Sequence, residues 1–148
     1  MMLSYARVLG LWALLAPAAL AIDILQGQQY EDKCTYTTWI GETSMESPLA
    51  DDCLALAAKF GNGHYGWFVN QGDPKIYTQL WSYGSCALGV RPVTKGGKAN
   101  FFFGSTDAHD LVFDATMRFK NSKTGRIGAR GVAHCELSDV EWAVFRKA

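Results

Sequence analysis

The four cysteines, at positions 34, 53, 86 and 135, constrain the fold of this chain more than any other residues. Their number is even, and four cysteines can form two disulfides in three different pairings. The sequence contains no Cys-x-x-Cys pair and no tight group of cysteines and histidines, which disfavours a zinc site or a thiol redox centre. We therefore expect a small exported domain that is held together by two disulfides.

Residues 1–21 have the features of a secretory signal peptide. Arg7 supplies a positive charge, an apolar run extends from Val8 to Ala16, and Ala19 and Ala21 are the small residues of a cleavage site. The run is about half as long as the roughly 20 residues that a bilayer-spanning helix needs. We expect cleavage after Ala21, secretion of the remaining chain, and no stable insertion into a membrane.

The composition limits the classes of protein to which the chain can belong. Its 148 residues include 14 basic and 14 acidic side chains, and 49% of the residues are apolar. This length allows one domain, and the apolar fraction is enough for a buried core. Because the charges balance and form no blocks, we expect no binding to nucleic acid. We predict a flexible N-terminal arm at 22–33 and a single folded domain, a monomer, at 34–148.

Two segments have the periodicity of amphipathic helices. Ser47 and Pro48 are typical of a helix start, and 61–63, with two glycines, ends the first helix. The second helix runs from 105 or 106 to 120. The predicted buried stripes are Leu49, Cys53, Leu56 and Phe60 in the first helix, and Ala108, Leu111, Val112, Ala115 and Phe119 in the second. Asp107, Asp110 and Asp114 are predicted to form the solvated face of the second helix.

Short runs of β-branched and aromatic residues, many of them alternating, predict about five or six strands. They lie at 34–39, 66–69, 76–81, 86–90, 126–136 and 140–145, and 101–103 is either an edge strand or a segment that packs onto the second helix. The order of elements predicts an α+β fold, a two-layer sandwich with an antiparallel sheet and both helices on one face. A split βαβ arrangement is the predicted topology.

Among the three disulfide pairings we favour Cys53–Cys86 with Cys34–Cys135. Cys53 lies on the buried stripe of the first helix, and Cys86 shares a strand face with Leu88 and Val90. The remaining pair would tie the first strand of the domain to the last but one.

The sequence contains none of the common catalytic, phosphate-binding or zinc-protease motifs. His64, His109 and His134 are scattered along the chain, so they do not indicate a metal site. Asp51 and Asp52 stand at a predicted helix start, where acidic residues are favourable. We therefore predict no catalytic residues, no metal and no cofactor.

Two weaker features are candidates for a binding surface. The loop from Arg91 to 98 contains three cations and two adjacent glycines, and we predict Arg91, Lys95 and Lys98 as binding residues. The second feature is the tryptophans. One or two of them could form an exposed recognition patch; the set includes Trp39, Trp67, Trp81 and Trp142.

Four groups of residues, in order along the chain, resemble the motifs of the necrosis-inducing factor family of secreted fungal effectors. They are Thr43-Ser44 with Ser47-Pro48-Leu49 and Asp52-Cys53; Gly84-Ser85-Cys86 with Leu88; Asp107 with Asp110-Leu111 and Arg118-Phe119; and Ile127-Gly128-Ala129-Arg130-Gly131 with Cys135 and Trp142. The family usually has a lysine where this chain has Arg130. The resemblance extends roughly from Cys34 to Phe145.

The resemblance implies a secreted, non-enzymatic effector that binds a host target in the apoplast and provokes or modulates plant cell death. It assigns structural roles to the four cysteines and no catalytic residues. Such domains are also similar in shape to the virally encoded fungal killer toxin, which implies an alternative function as an antifungal protein that acts on a membrane channel. A small secreted hydrolase is a third hypothesis. The expected partner is thus an unknown host protein or a membrane channel.

Overall fold

The computed structural model describes residues 21–93 and 97–148. Residues 1–20 of the predicted signal peptide, and Lys95 of the basic loop, lie outside this part of the chain. The elements within it are β1 (Ala21–Gln26), a short 3-10 helix (Gln28–Tyr30), β2 (Cys34–Thr37), β3 (Ile40–Gly41), α1 (Ala50–Gly61), β4 (Tyr65–Gly72), β5 (Thr78–Tyr83), β6 (Cys86–Pro92), β7 (Ala99–Gly104), α2 (Ser105–Phe119), β8 (Ala129–Cys135) and β9 (Asp139–Arg146).

The larger sheet has the strand order β2-β8-β9-β6-β5. The short strand β3 also pairs with β8, at Ala129 and Arg130, before the part of β8 that pairs with β2. All pairings in this sheet are antiparallel. Since β6 and β8 are both antiparallel to β9, which lies between them, they run parallel to each other, and the chain passes from one to the other through α2. This is the predicted split βαβ arrangement, and the two-layer α+β fold is confirmed.

A second sheet, with the order β1-β4-β7, was not predicted. Its first strand corrects the expectation of a flexible arm at 22–33, because β1 pairs with β4 along its whole length, from Ala21 opposite Asn70 to Gln26 opposite Tyr65. Ile22 and Ile24 stay exposed in this strand. The strand therefore forms mainly through backbone hydrogen bonds to β4, and burial of its side chains contributes little. Because hydrophobic periodicity in a sequence reflects burial, it does not reveal such a strand.

The two helices pack against each other, and their buried residues share one hydrophobic core with the larger sheet. Cys53, Leu56 and Phe60 of α1 are almost completely buried, as predicted, whereas Leu49 is exposed. On α2, the predicted stripe from Ala108 to Ala115 is buried, and Phe119 packs partly buried against the same core. No helix in the described ranges is both long and apolar enough to cross a membrane.

The helix α1 starts later in the chain than Ser47 and Pro48, the predicted helix start. The helix begins at Ala50, because Leu49 forms an antiparallel bridge with Arg126 that keeps the preceding backbone extended. The N–H of Ile127 donates to the carbonyl of Pro48 at 3.0 Å. The Ser47 hydroxyl instead accepts the N–H of Ser44 at 2.9 Å, so it stabilises the turn before this bridge.

The four cysteines form two disulfides, Cys53–Cys86 and Cys34–Cys135. They are the two pairs favoured from the sequence. The Cys53–Cys86 bond connects α1 to β6 and is fully buried. The Cys34–Cys135 bond joins directly opposed residues of β2 and β8, so it fastens the edge strand of the larger sheet.

Candidate functional site

The helix α2 and the edge strand β2 border an open cleft with a volume of about 710 Å³, which we call the β2–α2 cleft. The segment 32–37, which contains all of β2, lines one side. The helix lines the other. The lining residues are Asp32, Lys33, Cys34, Thr35, Tyr36, Thr37, Trp39, Thr106, Asp107, Asp110, Leu111, Asp114, Ala133 and Glu136. Five of them are acidic and one is basic.

Asp107 connects the two sides of this cleft. Its carboxylate accepts three backbone hydrogen bonds: Oδ2 from the N–H groups of Lys33 at 2.7 Å and Gly104 at 2.9 Å, and Oδ1 from that of Cys34 at 3.1 Å. Asp107 lies in the first turn of α2, where a negative charge is also favoured by the helix dipole. One side chain thus holds the end of β7, the start of α2 and the start of β2 together.

Burial raises the pKa of Asp107 to about 7, against the opposing effect of the three backbone donors. The negative charge of Asp32 adds to the increase. The prediction that Asp107 lies on the solvated face of α2 is wrong, because the residue is 93% buried (7% exposed). The sequence signal is an acidic residue at the third position of the helix, whose side chain can reach back to the N-terminal backbone.

The other carboxylates of the cleft are more accessible. Asp110 is exposed, with 63% of its side chain accessible, and also accepts a hydrogen bond from Nδ1 of His109 at 3.0 Å. Asp114 follows one helical turn later and is partly exposed. Glu136, on the opposite side, binds Nζ of Lys33 at 3.2 Å. The cation of the cleft is therefore already paired, and the remaining charge is negative.

The base of the cleft is built from rigid aromatic packing. Trp39 meets the edge of the buried Trp142, and the guanidinium of Arg118 lies 4.4 Å from the centre of the Trp39 ring. The indole N–H of Trp142 donates to Oγ1 of Thr37 at 2.6 Å. These contacts attach β2 and the residues after it to the core.

The structure places two of the predicted binding residues, Arg91 and Lys98, in different parts of the fold. Arg91 does not belong to the loop, since it lies within β6, binds Glu141 at 2.9 Å and covers the Tyr77 ring at 4.2 Å. Lys98 is exposed, and Lys95 is outside the described residues. Neither Arg91 nor Lys98 lines the β2–α2 cleft. A function of this loop in target binding stays a prediction.

Glu141 is the centre of a polar network on the outer face of the larger sheet. It accepts a hydrogen bond from the Tyr77 hydroxyl at 2.7 Å and is 3.6 Å from Arg130, which also binds Glu42. Burial raises the pKa of Glu141, but the hydrogen bonds from Tyr77 and Arg91 outweigh it, and the pKa is lowered overall. Every group in this network has a partner of opposite charge or a hydrogen-bonding partner, so we interpret the network as structural.

The three histidines are each paired with a different carboxylate: His64 with Glu31, His109 with Asp110 and His134 with Asp139. Within residues 21–93 and 97–148, no group of three potential ligands is arranged to hold a metal ion. Of the tryptophans, Trp67 and Trp142 are buried, Trp39 lies in the cleft and Trp81 is exposed.

Comparison with curated proteins finds relatives that are much longer than this chain. It is 25% identical over 115 residues to "Secreted chitinase LysM12" and 26% identical over 117 residues to "Probable chitinase LysM18", both from Penicillium expansum. These alignments cover 75% and 76% of this chain but only 7% and 8% of the relatives. The similarity therefore concerns one small region of each chitinase.

A family model matches the region that contains both sides of the cleft. The model is Hce2, described as "Pathogen effector; putative necrosis-inducing factor", and it aligns with residues 33–135. The match begins beside Cys34 and ends at Cys135, so it includes all four cysteines and the whole of α2. It agrees with the resemblance inferred from the motifs. The chain belongs to the Hce2 family of pathogen effectors.

Proposed function

We propose that this protein is a secreted fungal effector that binds a target in a plant host and induces or modulates cell death there, without catalysing a reaction. Membership of the effector family supports this proposal. The two disulfides are consistent with an extracellular location, since such bonds persist in oxidising compartments. The expected signal peptide at 1–21 provides the route of export.

The observation that carries the proposal is the bonding of Asp107 in the β2–α2 cleft. Both of its oxygens accept backbone N–H groups, so this carboxylate maintains the shape of the cleft. The rest of the cleft includes accessible carboxylates, threonine hydroxyls, the aromatic rings of Tyr36 and Trp39, and one side of β2. A rigid, charged concave surface of this kind is suited to recognition of a partner.

Infiltration of the purified, oxidised protein into leaves tests the proposal. Necrosis or another cell-death response in some host cultivars is the expected result, with heat-unfolded, reduced protein as the control. A pull-down from apoplastic fluid and membranes, using the folded protein as bait, should recover a specific host target. The absence of any response over a broad panel of hosts would contradict the proposal.

A second candidate function is hydrolysis of a polysaccharide in the same cleft. Two observations favour it: the pKa of Asp107 is raised to about 7, as in a catalytic acid, and two relatives are named chitinases. Chitin and its oligosaccharides are the substrates to test, by release of reducing ends. Turnover that is lost in Asp107→Asn would support hydrolysis. The absence of turnover in wild-type protein would exclude it for these substrates.

A further inference from the structure

We propose, on the basis of the binding function above, that the β2–α2 cleft accepts an extended, basic segment of a partner protein as an additional strand beside β2. The backbone of the segment would hydrogen-bond to the free edge of β2. Its lysine or arginine side chains would meet the carboxylates of α2. Three features of the cleft favour this binding mode: its open strand edge, the spacing of its carboxylates and the bonds that fix β2.

The first feature is the edge of β2 that faces the cleft. β2 is the last strand of the larger sheet and pairs on one side with β8, where its neighbour Lys33 accepts the N–H of Glu136 at 2.9 Å. The N–H of Cys34 points the other way, to Asp107. Beyond this contact, no strand within the described chain lies beside the cleft edge of β2. A free edge of this kind is a template for strand addition.

The second feature is the spacing of two carboxylates on α2, which matches the spacing of side chains along a strand. Asp110 and Asp114 are four positions apart on α2, which places their side chains about 5–6 Å from each other. Alternate side chains of a strand are about 6.6 Å apart on one face. Two basic residues separated by one position can therefore contact both carboxylates at once. Charge complementarity favours such a segment, because Lys33 is paired with Glu136 and the accessible carboxylates of Asp32, Asp110 and Asp114 also line the cleft.

The third feature is the preorganisation of the cleft. The Cys34–Cys135 bond and the hydrogen bonds to Asp107 fix the start of β2, and the bond from Trp142 to Thr37 fixes its end. A partner strand then binds without first ordering the edge, which lowers the entropic cost of association. The volume of about 710 Å³ lies within the range of protein sites that enclose small ligands, so a short segment fits.

Fluorescence anisotropy with labelled peptides tests this inference on the full, oxidised protein. The probe is a seven-residue peptide in which lysine and threonine alternate. We expect it to bind, to weaken as salt is added, and to bind at least about tenfold more tightly than a peptide with glutamate in place of lysine. A peptide of the same sequence with N-methyl groups on alternate amides keeps the charge but cannot donate along one edge, and we expect at least about a tenfold loss.

Two protein variants separate the site from general electrostatic attraction. The double variant Asp110→Asn/Asp114→Asn should lose about tenfold in affinity for the basic peptide. The matched control, Asp23→Asn/Asp51→Asn, removes the same charge from exposed positions outside the cleft and should keep the affinity. Equal losses in the two variants, or equal binding of the methylated and unmethylated peptides, would overturn the inference.

The peptide assay tests the strand-addition inference, and the leaf assay tests the effector function, so the two results can differ. A cell-death response from a protein that binds none of the peptides would overturn the strand-addition inference and leave the effector function intact. Specific peptide binding by a protein that produces no response in any host would support the inference and contradict the effector function.

Discussion

The backbone N–H of Cys34 donates to the carboxylate of Asp107 across 73 positions of sequence, at a distance of 3.1 Å. Cys34 is also bonded through its sulfur to Cys135. The first residue of β2 is thus attached to the helical layer on one side and to the sheet on the other. This double attachment fixes the start of β2 relative to α2 and so determines the shape of the β2–α2 cleft at that end.

Removal of the Asp107 carboxylate should destabilise the protein strongly. Asp107→Ala leaves three backbone N–H groups without their acceptor, and we expect a loss of about 3 kcal/mol in the free energy of unfolding. Urea denaturation measures this loss. Asp110→Ala, one helical turn further at an exposed position, is the control and should change stability by less than about 0.5 kcal/mol. Similar values for the two variants would refute the structural role of Asp107.

The contribution of Asp107 should also depend on pH. Its pKa is about 7 in the folded protein and about 3.9 in the unfolded chain, so between these values only the folded state holds the proton. The stabilisation from this group is complete below pH 4 and is lost as the pH rises through 7, with a slope of at most about 1.4 kcal/mol per pH unit.

Comparison with Asp107→Asn isolates this titration, because other groups, such as Glu141, are the same in both proteins. The stability of the wild type minus that of Asp107→Asn should decrease from pH 4 to pH 7, measured by urea denaturation at each pH. A difference that grows over this range would show that the backbone donors outweigh burial, and that the carboxylate is charged in the folded state throughout.

Thr37 provides a test of how β2 is attached to the core. Thr37→Val keeps the shape of the side chain but removes the acceptor of the Trp142 indole N–H, which is fully buried. We expect a loss of about 1–3 kcal/mol in the free energy of unfolding, together with a change in tryptophan fluorescence. Thr35→Val, on the same strand but exposed, should have little effect. An unchanged stability for Thr37→Val would mean that this hydrogen bond does not anchor the strand.

Both disulfides should stabilise the folded state substantially. In the chain-entropy description, the Cys53–Cys86 bond, with a separation of 33 residues, contributes about 4 kcal/mol, and the Cys34–Cys135 bond, with a separation of 101, about 5 kcal/mol. Replacing each pair by alanines and measuring unfolding in urea checks these values. Losses below about 1 kcal/mol, or free thiols detected in the native protein by mass spectrometry, would contradict the disulfide framework.

The helices, the larger sheet and the disulfide pairs could be inferred from the sequence because their buried faces repeat with a clear period. Cys53, Leu56 and Phe60 lie on one helix face, and Cys86 and Leu88 on one strand face, so burial explains both the pattern and the bond between them. Elements that form without burial were missed. β1 leaves Ile22 and Ile24 exposed and depends on backbone pairing alone.

The cleft could not be predicted because its key contacts join distant segments. The helical pattern of the sequence predicts that Asp107 is solvated. Its carboxylate instead accepts backbone N–H groups from the distant Lys33 and Cys34 and from the nearby Gly104. The composition of the basic loop predicts that Arg91 binds a target, but Arg91 forms a salt bridge with Glu141 on the neighbouring strand β9. The pattern of charges along a sequence shows where charged residues stand, but it does not show which residues they contact in the folded protein.

The most direct test of the account is leaf infiltration with the double variant Asp110→Asn/Asp114→Asn beside wild type and the charge-matched control Asp23→Asn/Asp51→Asn. All three proteins should be equally folded by circular dichroism, since the substituted carboxylates are at least partly exposed. We predict that wild type and control produce the host response and that the cleft variant does not. A full response from the cleft variant would contradict the claim that the β2–α2 cleft is the surface through which this effector acts.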